Sequence, residues 1–172
     1  MTMTPGVRKL ALTAHVGSSV GWLGAVVAFL ALAVAGVSAE NARTVRSTYV
    51  AMDLMGWFVL VPMSLASLLT GLIQSLGTSW GVLRHYWVVV KLLITVVATV
   101  VLLVYTDTLR AMARVAVDAT ADIALVRNPS PVLHAGGALV LLLVALTLSV
   151  YKPQGRTAYG WRKHQQQRQP SQ

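Results

Sequence analysis

"RHYWVVVKLLITVVATVVLLVY", Arg84 to Tyr105, decides how this chain folds. From Tyr86 onward it is an almost unbroken apolar run, and ~20 such residues suffice to cross the ~30 Å hydrocarbon core of a bilayer. One residue is out of keeping. Lys91 puts an ammonium group into the run, at a depth where charge is expensive and usually functional.

Three further stretches read the same way: Leu10 to Val37, Tyr49 to Leu76 and Val132 to Tyr151. Of the 172 residues, 56% are hydrophobic and only 11% charged. A soluble domain carries about 25% charged residues, so this composition lacks the material for a water-facing surface. The expected fold is all-α, a polytopic four-transmembrane-helix bundle over residues 1–151. Residues 152–172 form a basic cytoplasmic tail, polar and glutamine-rich, partly disordered towards its far end. Cysteine is absent, which removes disulfides, thiolate metal sites and cysteine nucleophiles.

The net charge of +9 is placed as membrane topology requires. The N-terminal tail, the loop after the second span and the C-terminal tail carry Arg8, Lys9, Arg84, Lys152, Arg156, Arg162, Lys163 and Arg168, with no acid. The other two loops and their flanks mix Arg43, Arg46, Arg110, Arg114 and Arg127 with Glu40, Asp53, Asp107, Asp118 and Asp122. The positive-inside rule puts both termini in the cytoplasm. The partners this implies are the bilayer and its anionic lipid headgroups, with Tyr159 and Trp161 resting at the interface, rather than nucleic acid. So small a bundle also suits a homo-oligomer or a membrane-complex partner; transport by four spans would need an oligomer. Val37-Ser38-Ala39, after a basic start, imitates a signal-peptide cleavage site, but the apolar stretch of about 28 residues exceeds the usual 7–15 and reads as a retained span.

Within the spans, Gly17, Gly21 and Gly24 form a slim face suited to close helix packing. Pro62 should bend the second span, because it lacks a backbone donor. There Asp53, Gly56, Trp57, Leu60, Ser64, Ser67, Gly71 and Gln74 recur at helical spacing as a semi-polar stripe facing the interior. The third span should continue outside the membrane as an amphipathic extension with Leu109, Met112, Val115 and Ala116 on one face. Ser130 and Pro131 then read as N-cap and first position of the fourth helix.

"TGLIQSLGTSWGVLRHYWVVVKLLIT" from Thr70 and "LHAGGALVLLLVALTLSVYKPQGRTAYG" from Leu133 resemble an uncharacterised actinobacterial family of small integral membrane proteins. That likeness implies a bacterial plasma membrane and no established activity. More remotely, His15 followed by Trp22-Leu23-Gly24, together with Lys91, resembles the CopD-type copper-resistance proteins and the HemJ-type protoporphyrinogen oxidases. The HemJ-type likeness associates the histidine and the lysine with haem or porphyrin chemistry.

Depth counting gathers two polar clusters. His15 and Lys91 lie at similar depth near the cytoplasmic side, with Gln74 and Ser149 approaching the same level and Trp22 two turns beyond as a wall. This inner cluster has no carboxylate. Lys91 therefore snorkels to the headgroups, loses its proton, or holds an anion supplied from outside. At the other side, Asp53, Asp107 and His134, with Met52 and Met55 nearby, offer the donor types of a transition-metal site or of an interfacial hydrogen-bond network. His15 and His134 sit roughly 20 Å apart in depth at ~1.5 Å per residue, so they do not clamp one haem; a single-histidine haem stays open. No hydrolase triad, zinc motif or catalytic carboxylate pair is present. Three function classes follow: a bundle binding haem, porphyrin or another anionic amphiphile through His15 and Lys91; a non-enzymatic accessory protein; and copper or small-solute handling.

Overall fold

Each apolar run folds as a helix with a physical start and stop. In the computed structural model, which describes residues 3–78, 81–122, 124 and 127–168, α1 spans Pro5–Ser38. Pro5 suits its first turn, and the extended backbone of Ala39 (φ −66°, ψ 135°) ends it. Helix α2, Ala42–Met55, starts at Asn41, whose side chain accepts from the Arg43 amide at 2.8 Å. A π-helical turn, Gly56–Leu60, leads straight into α3, Val61–Leu76, so the pair forms one crossing. Helix α4 covers Tyr86–Val117 and α5 covers Ser130–Tyr151. All four crossings are long and apolar enough to span a membrane, as the composition requires.

The π turn is the response to Pro62. Proline cannot donate to the Phe58 carbonyl and its ring crowds it; the turn widens, and the Val61 amide reaches Gly56 instead. The stripe behaves accordingly. Gly56, Leu60, Ser64 and Ser67 are buried, whereas Trp57, inside the widened turn, lies outside with the Arg110 guanidinium 5.0 Å from its ring.

Helix α1 packs against α2, α3 and α5, and α4 closes the bundle against the same three. Among the glycines of α1, Gly21 makes the expected close approach, with Met63 Sδ 3.2 Å from where a Cβ would stand. Gly17 and Gly24 face open space instead, and the tightest fit is at Gly36, 3.0 Å from Thr48 Oγ1. The outward surface carries Leu69, Leu93, Val104 and Val140, an apolar coat that lipid can solvate.

The two ends of the bundle are closed differently. At the end away from the termini, Arg46 Nη1 donates to the Ala116 carbonyl at 3.0 Å and Nη2 to that of Ala121 at 2.8 Å, capping the C-terminus of α4. Arg127 reaches the Ala39 carbonyl at the end of α1 in the same manner. The extension of α4 stops at Val117 with Leu109, Ala113 and Ala116 buried, so its apolar face is covered as predicted. The start of α5 differs in detail: Ser130 is its first residue, and Asn128 Oδ1 accepts the Ser130 amide at 2.8 Å. At the other end the tail returns to the loop before α4. Thr157 donates its amide to the Arg84 carbonyl at 3.0 Å, and a side chain at Gly160 would collide with that carbonyl. A further helix, α6, then runs over Ala158–Arg168; the far end of the tail, residues 169–172, lies outside the described residues.

Candidate functional site

Lys91 points inward. Its Nζ lies 3.3 Å from His15 Nε2, joining α4 to α1 across the core of the end that carries the termini. The surrounding hydroxyls determine which atom holds which proton. Thr70 Oγ1 donates its one proton to the Ala66 carbonyl at 2.6 Å, so it is an acceptor towards His15 Nδ1, 3.1 Å away. The ring proton therefore sits on Nδ1, and Nε2 offers its lone pair to Lys91. A lone pair only accepts, so the Lys91 amine is the donor. Ser18 donates to the His15 carbonyl at 3.1 Å and Thr95 to the Lys91 carbonyl at 2.8 Å, fixing both backbones. Gly71 lets α3 approach: a Cβ there would stand 3.1 Å from His15 Cε1.

An ammonium has three N–H bonds, and this one uses a single side-chain partner among the described residues. Beside it opens a cavity of about 120 Å³ lined by His15, Ser67, Gly71, Gln74, Trp87, Lys91 and Thr95, among others. Gln74 Oε1, in the same lining, is buried without a hydrogen-bond partner. The site thus combines a cation with spare donors, an acceptor with no donor, and no carboxylate. Ser149 is absent from the lining and bonds its own helix at Ala145.

The cavity of about 120 Å³ is smaller than the ~300–1,000 Å³ of typical small-molecule pockets, and the two ring nitrogens of His15 face Thr70 and Lys91. Trp22 does not wall this cavity. It lies in the middle of α1, buried, and lines a second, wider cavity of about 330 Å³ between α1, α4 and α5. Seven residues beyond His15, Trp22 lies on nearly the same face of α1 but about 10 Å further along its axis, and so opens on a different cavity.

The second cavity is apolar, with Trp22, Phe29, Leu60, Leu102 and Leu141 in its walls and His134 and Tyr105 as polar elements. Those two rings stack, centroids 3.9 Å apart at 16°. The trio suggested as a metal site is not assembled: among the described residues no three His, Cys, Asp or Glu side chains form a group suited to a metal ion. Asp107 is exposed, one Asp53 oxygen is buried without a partner, and His134 is occupied with Ser130 and Tyr105. Met52 is fully buried as core.

Thr70, Thr95 and Tyr105 escaped the sequence reading. Hydroxyls at helical spacing routinely bond their own helix, so nothing in the sequence distinguishes those that also hold a neighbour's side chain. No family model, curated protein or solved structure matches this chain.

Proposed function

We propose that this integral membrane protein binds an anionic lipid headgroup, a phosphate bearing a hydroxyl, at Lys91 and His15. The observation that carries this reading is the Lys91 ammonium, 3.3 Å from His15 Nε2 and without an acid, beside the orphaned Gln74 Oε1. A phosphate oxygen accepts the spare Lys91 protons, and a headgroup hydroxyl supplies the donor that Gln74 lacks. The cavity of about 120 Å³ beside these residues offers room for the polar atoms of a headgroup. In this reading the termini face the cytoplasm, where Arg8, Lys9, Arg84 and Arg156 concentrate anionic lipid around the entrance. The likeness to small actinobacterial membrane proteins, and with it a bacterial plasma membrane, belongs to the same proposal.

The test is lipid retention in native mass spectrometry, with the protein released from bilayers of phosphatidylglycerol mixed with phosphatidylcholine. Retention of phosphatidylglycerol, lost in Lys91→Met and partly restored in Lys91→Arg, is the expected pattern; a guanidinium keeps the charge but changes the shape. Equal retention of both lipids by the wild-type protein would overturn the reading. Displacement by inorganic phosphate would show that free anions share the site.

A further inference from the structure

The wider cavity carries a separate argument, independent of the Lys91 site. His134 Nδ1 lies 2.9 Å from the Ser130 carbonyl, one turn back on α5. A carbonyl only accepts, so Nδ1 holds the ring proton and Nε2 is left as a bare acceptor in the neutral imidazole. The Tyr105 stack and the bond from Tyr105 Oη to Ser130 Oγ, 3.1 Å long, hold the ring plane. His134 is exposed and sits in the first turns of α5, so it belongs to the part of the cavity nearest the membrane surface. The rest of the lining runs inward to Trp22 and contains no charged side chain. At about 330 Å³ the space falls within the ~300–1,000 Å³ range of small-molecule pockets.

We propose that this cavity receives an uncharged, lipid-soluble alcohol or phenol, its hydroxyl donating to His134 Nε2 and its apolar body lying against Trp22, Phe29 and Leu141. The absence of charge in the lining sets the ligand's neutrality. The locked tautomer sets the polarity of its head: a hydroxyl matches a bare acceptor, while an ether or carbonyl oxygen meets it lone pair to lone pair. An ordinary acyl chain lacks the hydrogen bond and gains nothing from His134.

Gly137 supplies a clean way to block the space. It lines the cavity, and a Cβ added there meets nothing within 4 Å, so the backbone accepts a side chain at this position and Gly137→Leu puts four carbons at the cavity wall. The experiment uses the full chain in nanodiscs and tryptophan fluorescence, with Trp22→Phe identifying the signal from this cavity. The probes are a decyl-substituted benzoquinol, its dimethyl ether and the isoprenoid alcohol farnesol. Saturable quenching by the quinol is expected, with the ether about 5–10-fold weaker, the loss of one neutral hydrogen bond. His134→Ala should bring the quinol down to the ether's affinity, and Gly137→Leu should abolish both. Competition by farnesol at equal strength would assign the site to aliphatic alcohols, and its failure to phenols. Equal binding of quinol and ether, binding unchanged in His134→Ala, or no saturable binding would each overturn the proposal.

Discussion

The two ends of this bundle use the same helices in opposite ways. Away from the termini, Val45, Tyr49, Met52 and Leu109 are fully buried, and arginines close the helix ends by donating to backbone carbonyls. At the end with the termini, hydroxyls, an imidazole and an ammonium surround a small cavity, and of the side chains there Val88 is among the few that are buried. A lipid tail is as apolar as leucine, so helices gain little by hiding leucine from it; they are held by close packing and by hydrogen bonds. One end is built on the first means. The other keeps polar groups that packing does not need, with a cation and an acceptor left over.

If stability resides at the packed end, substitutions there should dominate unfolding in mixed micelles. Tyr49→Ala removes a fully buried ring and its contacts with Asn128 and should cost about 3–5 kcal/mol. A cost below ~1 kcal/mol would erase the contrast. Next comes Arg46→Ala, which strips the cap from α4; it should cost about 1–2 kcal/mol, as charged donors to backbone carbonyls do when half-exposed. Hydrogen exchange should then rise first at the C-terminal turn of α4, and uniform exchange along the helix would argue against a local cap.

Lys91→Met probes the polar end. A half-buried cation without a carboxylate costs free energy to hold, so its removal should leave stability within about 1 kcal/mol or raise it. A large loss would make the His15 contact a structural fastener. The smallest effect concerns Asp118, just past α4. The Thr120 hydroxyl at 2.6 Å and then the Thr120 amide at 2.9 Å hold its carboxyl below the usual range. A depressed folded value means that the turn is supported above the unfolded value of about 3.9 and loses that support as pH falls below it. Titration of Asp118 by NMR should move upward in Thr120→Ala; an unchanged curve would assign the shift elsewhere.

Much of this was legible in the chain. The four spans were, because ~20 apolar residues in succession have few other uses. So was the meeting of His15 and Lys91, because relative depth follows from counting along helices that alternate in direction. Rotation about each axis is harder to read. The π turn before Pro62 changes the register of the stripe, which is why Trp57 faces outward, and nothing in the sequence states which glycine of α1 meets a neighbour. The pairing of Tyr105 with His134 depends on how α4 and α5 are turned towards one another. Trp22 shares the face of His15 but lies about 10 Å deeper, so its wall belongs to the apolar cavity and not to Lys91. Asp53, Asp107 and His134 share an end of the bundle, yet among the described residues they do not form a group suited to a metal ion.

The contrast predicts that the two cavities answer to different substitutions. The most direct measurement is native mass spectrometry of three proteins from identical phosphatidylglycerol-containing bilayers: wild type, Lys91→Met and Gly137→Leu. Retained phosphatidylglycerol should fall at least about 10-fold in Lys91→Met, the loss of charge-assisted hydrogen bonds worth ~1.5–3 kcal/mol, and stay at the wild-type level in Gly137→Leu. Retention unaffected by Lys91→Met, or lost equally in both variants, would contradict an anion site at the polar end.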